Sequence, residues 1–151
     1  MPAPEPTPIQ TDQLHGIAHE TIKAAKFPQL ATIDIDGQQP RLRPVSPVRV
    51  DQNFTIHIAS LKSYQKTQQL AQNPKVELCY LAPNHDQVRV TGATSILTDP
   101  KLTADIWQTN PLLRQYLKTP DNPDLIIYTI TPTKVRFMRE WALSYHNVPL
   151  P

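Results

Sequence analysis

The stretch Arg41-Leu42-Arg43-Pro44-Val45-Ser46-Pro47-Val48 decides how the chain folds. Proline has no amide hydrogen to give to a sheet ladder, so within sheets it is confined to edges and bulges. Pro44 and Pro47 are separated by an odd number of residues, so their missing donors face opposite neighbours. A central strand paired on both sides cannot hold both. The segment therefore leaves part of its backbone free, either at a split in a barrel or beside a ligand. Strand alternation puts Arg41, Arg43, Val45 and Pro47 on one face. Two arginines on one face of an apolar sheet require solvent or an anion. Spacing alone leaves both readings open: a solvated strand end, or a phosphate clamp exploiting the forked donors of arginine.

Outward from this stretch the period of the hydrophobic pattern changes twice. Residues 1–10 carry four prolines, one acid and no basic residue, and read as an extended, poorly ordered lead rather than a signal peptide. Thr11 or Asp12 is then placed to cap a helix whose apolar stripe is Leu14, Ile17, Ala18, Ile22 and Ala25, ended by Phe27-Pro28. Alternation over residues 30–35 leads into an Asp36-Gly37 turn. A return strand over about 39–50 and a turn at Asp51-Gln52-Asn53 lead into Phe54-Thr55-Ile56-His57-Ile58. That is a meander of three antiparallel strands. Residues 60–73 are polar and glutamine-rich, a short surface helix stopped by Asn73-Pro74. Two further strands cover 76–81 and 87–97, and Asp99-Pro100 and Asn110-Pro111 start two helices. Residues 125–130 and 134–138 read as a closing hairpin across Thr131-Pro132-Thr133. Six or seven strands joined by turns too short for parallel crossovers predict an α+β fold: a β-barrel of mainly antiparallel strands with short peripheral helices.

Composition narrows the function. A chain of 151 residues, 39% hydrophobic and 19% charged, suits one folded domain and excludes disorder. The expected organisation is the lead at 1–10, a domain at 11–140 and an aromatic tail at 141–151. A net charge of +2 gives no support for nucleic acid or a membrane surface as partner, and no stretch is apolar enough to span a bilayer. A cytoplasmic location is the expectation. Gly16, Gly37 and Gly92 lie too far apart for a dinucleotide fingerprint or a P-loop, so any phosphate must be held by side chains and ordinary loop amides. Cys79, the single cysteine, rules out an intrachain disulfide and reads as a small buried hydrophobe. His15 and His19 share a helix face at metal-compatible spacing, but with no acidic or thiol partner a solvated pair is the simpler reading. His57 reads as a half-buried strand residue and His85 as an exposed turn residue. No serine has the glycine-flanked elbow of a nucleophile.

Taken in order, these landmarks resemble the pyridoxamine-phosphate-oxidase-like superfamily of split β-barrel flavoproteins. The likeness runs over residues 27–138. It is carried by Leu30-Ala31-Thr32-Ile33-Asp34 with Asp36-Gly37, Arg43-Pro44-Val45, Ser60 through Lys66 leading to Gln72-Asn73-Pro74, Val76-Glu77-Leu78, and Gln87-Val88-Arg89-Val90-Thr91-Gly92. The resemblance implies a homodimer with FMN at the subunit interface. Arg43 matches an arginine on the flavin phosphate, and Pro44 and Val45 match backbone running along the isoalloxazine ring. Ser60, next to Ala59, falls where the family often has a threonine near the flavin. Lys66, preceded by Gln65, matches a basic residue holding the phosphate. Gln87 matches a glutamine reaching the flavin from the other subunit. Tyr64-Gln65 stands where the family has a serine–arginine pair, which removes one cation; Lys62 is placed to substitute for it.

The family's arginine- and tryptophan-rich C-terminal segment, which binds pyridoxal phosphate, is replaced here by Trp141-Ala142-Leu143-Ser144-Tyr145-His146-Asn147. Pyridoxamine phosphate is therefore not the expected substrate. The tail either packs across the barrel or its partner, or stacks Trp141 or Tyr145 on the flavin. The resemblance implies an FMN-dependent oxidoreductase acting on a small molecule. The alternatives are a non-catalytic flavin-binding or sensing protein, or the same barrel holding deazaflavin F420 or haem.

Overall fold

A computed structural model describes residues 7–140 and 142–151. Helix α1 (Thr11–Ala25) precedes strands β1 (Gln29–Ile33), β2 (Pro40–Pro44), β3 (Pro47–Val50) and β4 (Ile56–Leu61). Then follow α2 (Gln65–Gln72), β5 (Lys75–Leu81), β6 (Gln87–Ile96), α3 (Pro100–Thr109), α4 (Pro111–Leu117), β7 (Leu125–Met138) and β8 (His146–Val148). The antiparallel sheet runs β2-β1-β5-β6-β7-β4-β3, with β8 added beside β7.

The two-proline stretch does not form one strand over 39–50. It breaks at Val45-Ser46 into β2, which pairs only with β1, and β3, which pairs only with β4. Pro44 ends the strand on one edge of the sheet and Pro47 begins the strand on the other. Two intervening residues span at most roughly 10 Å between those prolines, so the opposite edges of the sheet must lie side by side. The sheet is thus curled into a barrel that stays open where the prolines remove its ladder donors. Val45 is buried at this crossing, its amide donating to the Pro28 carbonyl at 3.0 Å.

The expected closing hairpin is instead one continuous strand, β7, with Pro132 in its middle. On one side β7 pairs with β4 over Leu125–Ile130 and with β8 over Val135–Phe137, leaving residues 131–134 without a partner there. A proline at that gap costs no ladder bond. On the other side the register with β6 shifts between Thr91 and Gly92, so Thr133 is extra and the strand bulges. Gly92 permits the bulge, because a Cβ there would sit 2.5 Å from the Thr131 carbonyl oxygen.

Other expectations shift at their boundaries. The strand read as ending near Ile58 continues to Leu61, and the helix expected over 60–73 covers only Gln65–Gln72. The residue preceding α1 is Gln10, which makes no side-chain cap, rather than Thr11 or Asp12. Asp99 and Asn110 do cap α3 and α4, each followed by proline at the first helical position. The tail forms β8, which the sequence reading did not anticipate. Residues 1–6 of the proline-rich lead, and Trp141, lie outside the described residues. No helix among the described residues is long and apolar enough to cross a membrane.

Helices on opposite faces of the curled sheet divide the core. Leu14, Ala18 and Ile22 of α1 and Leu70 of α2 fill the barrel interior against residues such as Leu30, Leu78, Val90 and Ile130. Outside, α3 and α4 bury Ile106, Trp107 and Leu113 on Ile127 of β7, with Val48 and Ala59 alongside. Cys79 is half-buried rather than buried, because alternation puts Leu78 and Tyr80 on the core face and Cys79 on the outer one. His15 and His19 are not a solvated pair. Both Nε2 atoms donate to the Gln52 carbonyl, at 2.8 and 3.0 Å, and His19 stacks on buried Phe54. His57 is buried, bonded through Nε2 to Asp51 and through Nδ1 to Thr129. His85 is exposed in its turn, as expected, with Nδ1 on Glu140.

Candidate functional site: a cation pair beside an uncharged cavity

Register fixes the first half of the site. Arg43 lies opposite Leu30 in the β1–β2 pair, so it shares the face of Leu30 and Thr32, and α2 lies over that face. Nη1 of Arg43 donates to Thr32 Oγ1 at 2.7 Å and to the Leu30 carbonyl at 3.3 Å. Nη2 donates to Gln69 Oε1 at 3.0 Å, which also accepts from Thr32 at 2.6 Å. Buried Thr32 and Gln69 thus hold the guanidinium in place. Of its five donors, Nε–H and one Nη2–H remain without a partner among the described residues.

The second cation comes from α2. Lys66 sits in its first turn, with Nζ 4.7 Å from the centroid of the Tyr64 ring. Burial lowers the pKa of both groups; Arg41 lowers that of Arg43 further, and Arg43 lowers that of Lys66. Arg41 itself is neutralised by Asp34 at 2.6 Å. No carboxylate among the described residues pairs with Arg43 or Lys66. Two half-buried cations near enough to disfavour each other's charge, without an acid, are costly unless an anion binds there. Helix α2 has no side-chain cap, and its leading amides and dipole add to the same positive end.

Beside this cluster lies a cavity of about 420 Å³. Ser46 and Val48 from the β3 edge, Ala59 and Ser60 from β4, and Tyr64 before α2 form one wall. The opposite wall is α4. Among the described residues no acidic or basic side chain lines it. Ser60 is only 7% exposed, and its Oγ has no hydrogen-bond partner. A buried hydroxyl left this way costs on the order of 1–3 kcal/mol. Tyr64 lines the cavity and also lies under Lys66, so it joins the neutral space to the cations.

The structure brings Arg43 and Lys66 together, and places Ala59 and Ser60 on the cavity. Pro44 and Val45 do not line it; Ser46 and Val48, just past the strand break, do so instead. Gln65 is the first residue of α2. Lys62 is exposed in the preceding turn, its amide donating to the Asp124 carbonyl. Gln87 begins β6 away from the cluster, and its Oε1 accepts from the Tyr145 hydroxyl at 3.2 Å. Tyr145 itself lies between the guanidinium groups of Arg89 and Arg136. The sequence reading missed Thr32 and Gln69. Thr32 was within reach, since alternation puts it beside Leu30; Gln69 needs the packing of α2 on β1.

The curled antiparallel sheet, crossed between its edges at paired prolines and carrying a cation pair beside a neutral cavity, defines a split-barrel protein of the α+β class. The pyridoxamine 5'-phosphate oxidase family model matches residues 16–139. The chain belongs to that family. No curated protein matches it. Among solved structures it resembles a Clostridium acetobutylicum protein related to general stress protein 26 of B. subtilis, of the pyridoxinephosphate oxidase family. The identity is 18%, the TM-score 0.76, and the match covers 92% of this chain and 95% of that one. A pyridoxamine 5'-phosphate oxidase-related, FMN-binding protein of Nostoc punctiforme is 16% identical at TM-score 0.65, covering 87% and 86%. A haem-binding protein of Mycobacterium smegmatis is 14% identical at TM-score 0.73, covering 94% of this chain and 59% of that one. At these identities the likeness shows the fold alone.

Proposed function

We propose that the protein binds FMN, with the phosphate on Arg43 and Lys66 and the ring in the neighbouring cavity. The observation that carries this reading is the pairing of a carboxylate-free cation cluster with an uncharged space sharing Tyr64 as common wall. A ligand matching both has one compact anionic end and a neutral planar body. The residues present fit such a group: the spare donors of Arg43 suit a phosphate, and the largely apolar cavity lining suits a neutral ring. The cavity volume falls within the roughly 300–1,000 Å³ of small-molecule sites. Among the described residues its lining holds no histidine, cysteine or methionine to serve as an axial ligand, which favours flavin over haem.

The protein's part is to hold the phosphate, exclude water from one ring face and supply a low-polarity wall. Bound FMN would supply the redox chemistry of a small-molecule oxidoreductase. A second reading, a non-catalytic flavin carrier or sensor, is favoured by one observation: among the described residues, tyrosines are the only titratable side chains lining the cavity. Turnover of reduced nicotinamide by the FMN-loaded protein separates the two.

The reading includes a homodimer. The outer faces of β1, β5 and β6 are covered by no helix among the described residues, since α1 and α2 lie inside and α3 and α4 lie beyond β7. Gln87 and Tyr145 belong to that open region, where a second copy would bring them to its partner's flavin.

The test is FMN titration followed by fluorescence and by the visible spectrum. Arg43→Ala and Lys66→Ala should each weaken binding by about 1.5–3 kcal/mol, the range for hydrogen bonds to charged groups. A protein that neither purifies yellow nor takes up added FMN would overturn the proposal.

A further inference from the structure

Helix α4 carries two apolar faces where its packing requires only one. Leu113 is buried against α3 and β7, with Leu117 alongside it. Leu112 and Tyr116, four residues apart on a neighbouring stripe, stay 58% and 76% exposed, yet both line the cavity. On the opposite wall Tyr64 is 51% exposed and lines the same space. The Asn110 side chain, which also borders it, caps α4 through Oδ1, which accepts from the Leu113 amide at 3.0 Å, and its Nδ2 donors are not used by that cap. The two walls together therefore offer two phenol rings and a leucine, with one amide donor, Asn110 Nδ2, and no charge among the described residues.

Nothing in the fold explains these exposed side chains, because the core beneath α4 is closed without them. Their common feature is the cavity. We infer that Tyr64 and the Leu112–Tyr116 stripe of α4 form a clamp over a single neutral planar ring, and that this clamp sets the ligand class of the site. The inference rests on the reading of the cavity as the flavin-ring site. It goes further by assigning ring recognition to the exposed stripe of α4, described above only as a wall of the cavity. Tyr64 would serve both ends of the ligand, as the platform under Lys66 and as one face of the clamp. Ligands with a charged ring system would be rejected, since the wall has nothing to pair with that charge.

A phenol in contact with an isoalloxazine quenches its emission by reversible electron donation, so the clamp has a direct optical signature. The full chain is titrated with FMN and, separately, with riboflavin, which has the ring and no phosphate. The wild-type protein should quench both strongly, with riboflavin binding at least tenfold more weakly. Tyr64→Leu with Tyr116→Leu should bring back most of the emission of bound FMN while saturable FMN binding persists through Arg43 and Lys66. Leu112→Glu should weaken riboflavin and FMN by a similar factor. All three positions are exposed, so unchanged circular dichroism is the expected control. If FMN saturates the double variant with emission as quenched as in the wild type, the clamp is refuted and the phosphate site stands. If the wild type takes up no FMN, the reading of the site itself is refuted.

Discussion

Lys66 carries a charge that its surroundings in the fold disfavour. Burial and the nearby Arg43 depress its pKa, so the charged ammonium is held in a place that disfavours it. For a lysine this penalty is complete below the folded pKa. It disappears as pH rises toward the ordinary value near 10.5, where the unfolded chain also loses its proton. Lys66→Met keeps the alkyl stem and removes the charge. It should stabilise the ligand-free protein at pH 7 by about 0.5–1 kcal/mol, allowing for solvent screening of a partly exposed group. Wild type and variant should converge in denaturation midpoint toward pH 10–11 (roughly the lysine range), and the variant should bind FMN more weakly. A variant less stable at neutral pH would show that Lys66 serves packing instead. Arg43 was visible as a candidate in the sequence because alternation put it on one face with Arg41. What separated them was invisible there: Asp34 neutralises Arg41, whereas Thr32 and Gln69 hold Arg43 without neutralising it.

At the scale of elements, prolines and a glycine mark where the sheet departs from regular pairing. Pro44 and Pro47 told from sequence alone that the segment could not be paired on both sides throughout, and each lies on an edge strand. That they lie on opposite edges follows from the curl of the whole sheet. Pro132 misled, because a proline between two apolar runs resembles a turn. It sits instead where β7 changes partner from β4 to β8. Across from it, Gly92→Ala would drive a Cβ to 2.5 Å from the Thr131 carbonyl oxygen, a backbone atom that can move only with its strand. Urea denaturation of that variant should show a loss of about 1–3 kcal/mol. An unchanged midpoint would mean that the β6–β7 bulge relaxes freely.

For the whole molecule the open question is what covers the outer sheet face. Residues there such as Ala31, Glu77, Cys79 and Thr91 are half-buried, and at its β2 edge Leu42 is 67% exposed. A homodimer through this face should dissociate measurably when Leu42 becomes Lys, with sedimentation moving from dimer toward monomer at micromolar concentration. A wild-type chain that sediments as a monomer at all concentrations would remove the dimer from the proposal.

By itself the sequence determined the strand periods, the capped starts of α3 and α4, the partly unpaired backbone of the two-proline stretch and the candidacy of Arg43. These are local consequences of side-chain alternation, backbone donors and charge, and no distant residue is needed to state them. Only the tertiary structure decided that β2 and β3 lie on opposite edges, that β7 runs unbroken and that the tail adds β8. It also decided that a cavity opens between the β3 edge and α4, beside a cation pair left without an acid. Those depend on how a curled sheet brings together residues far apart in the chain, and on which neighbours each charge then meets.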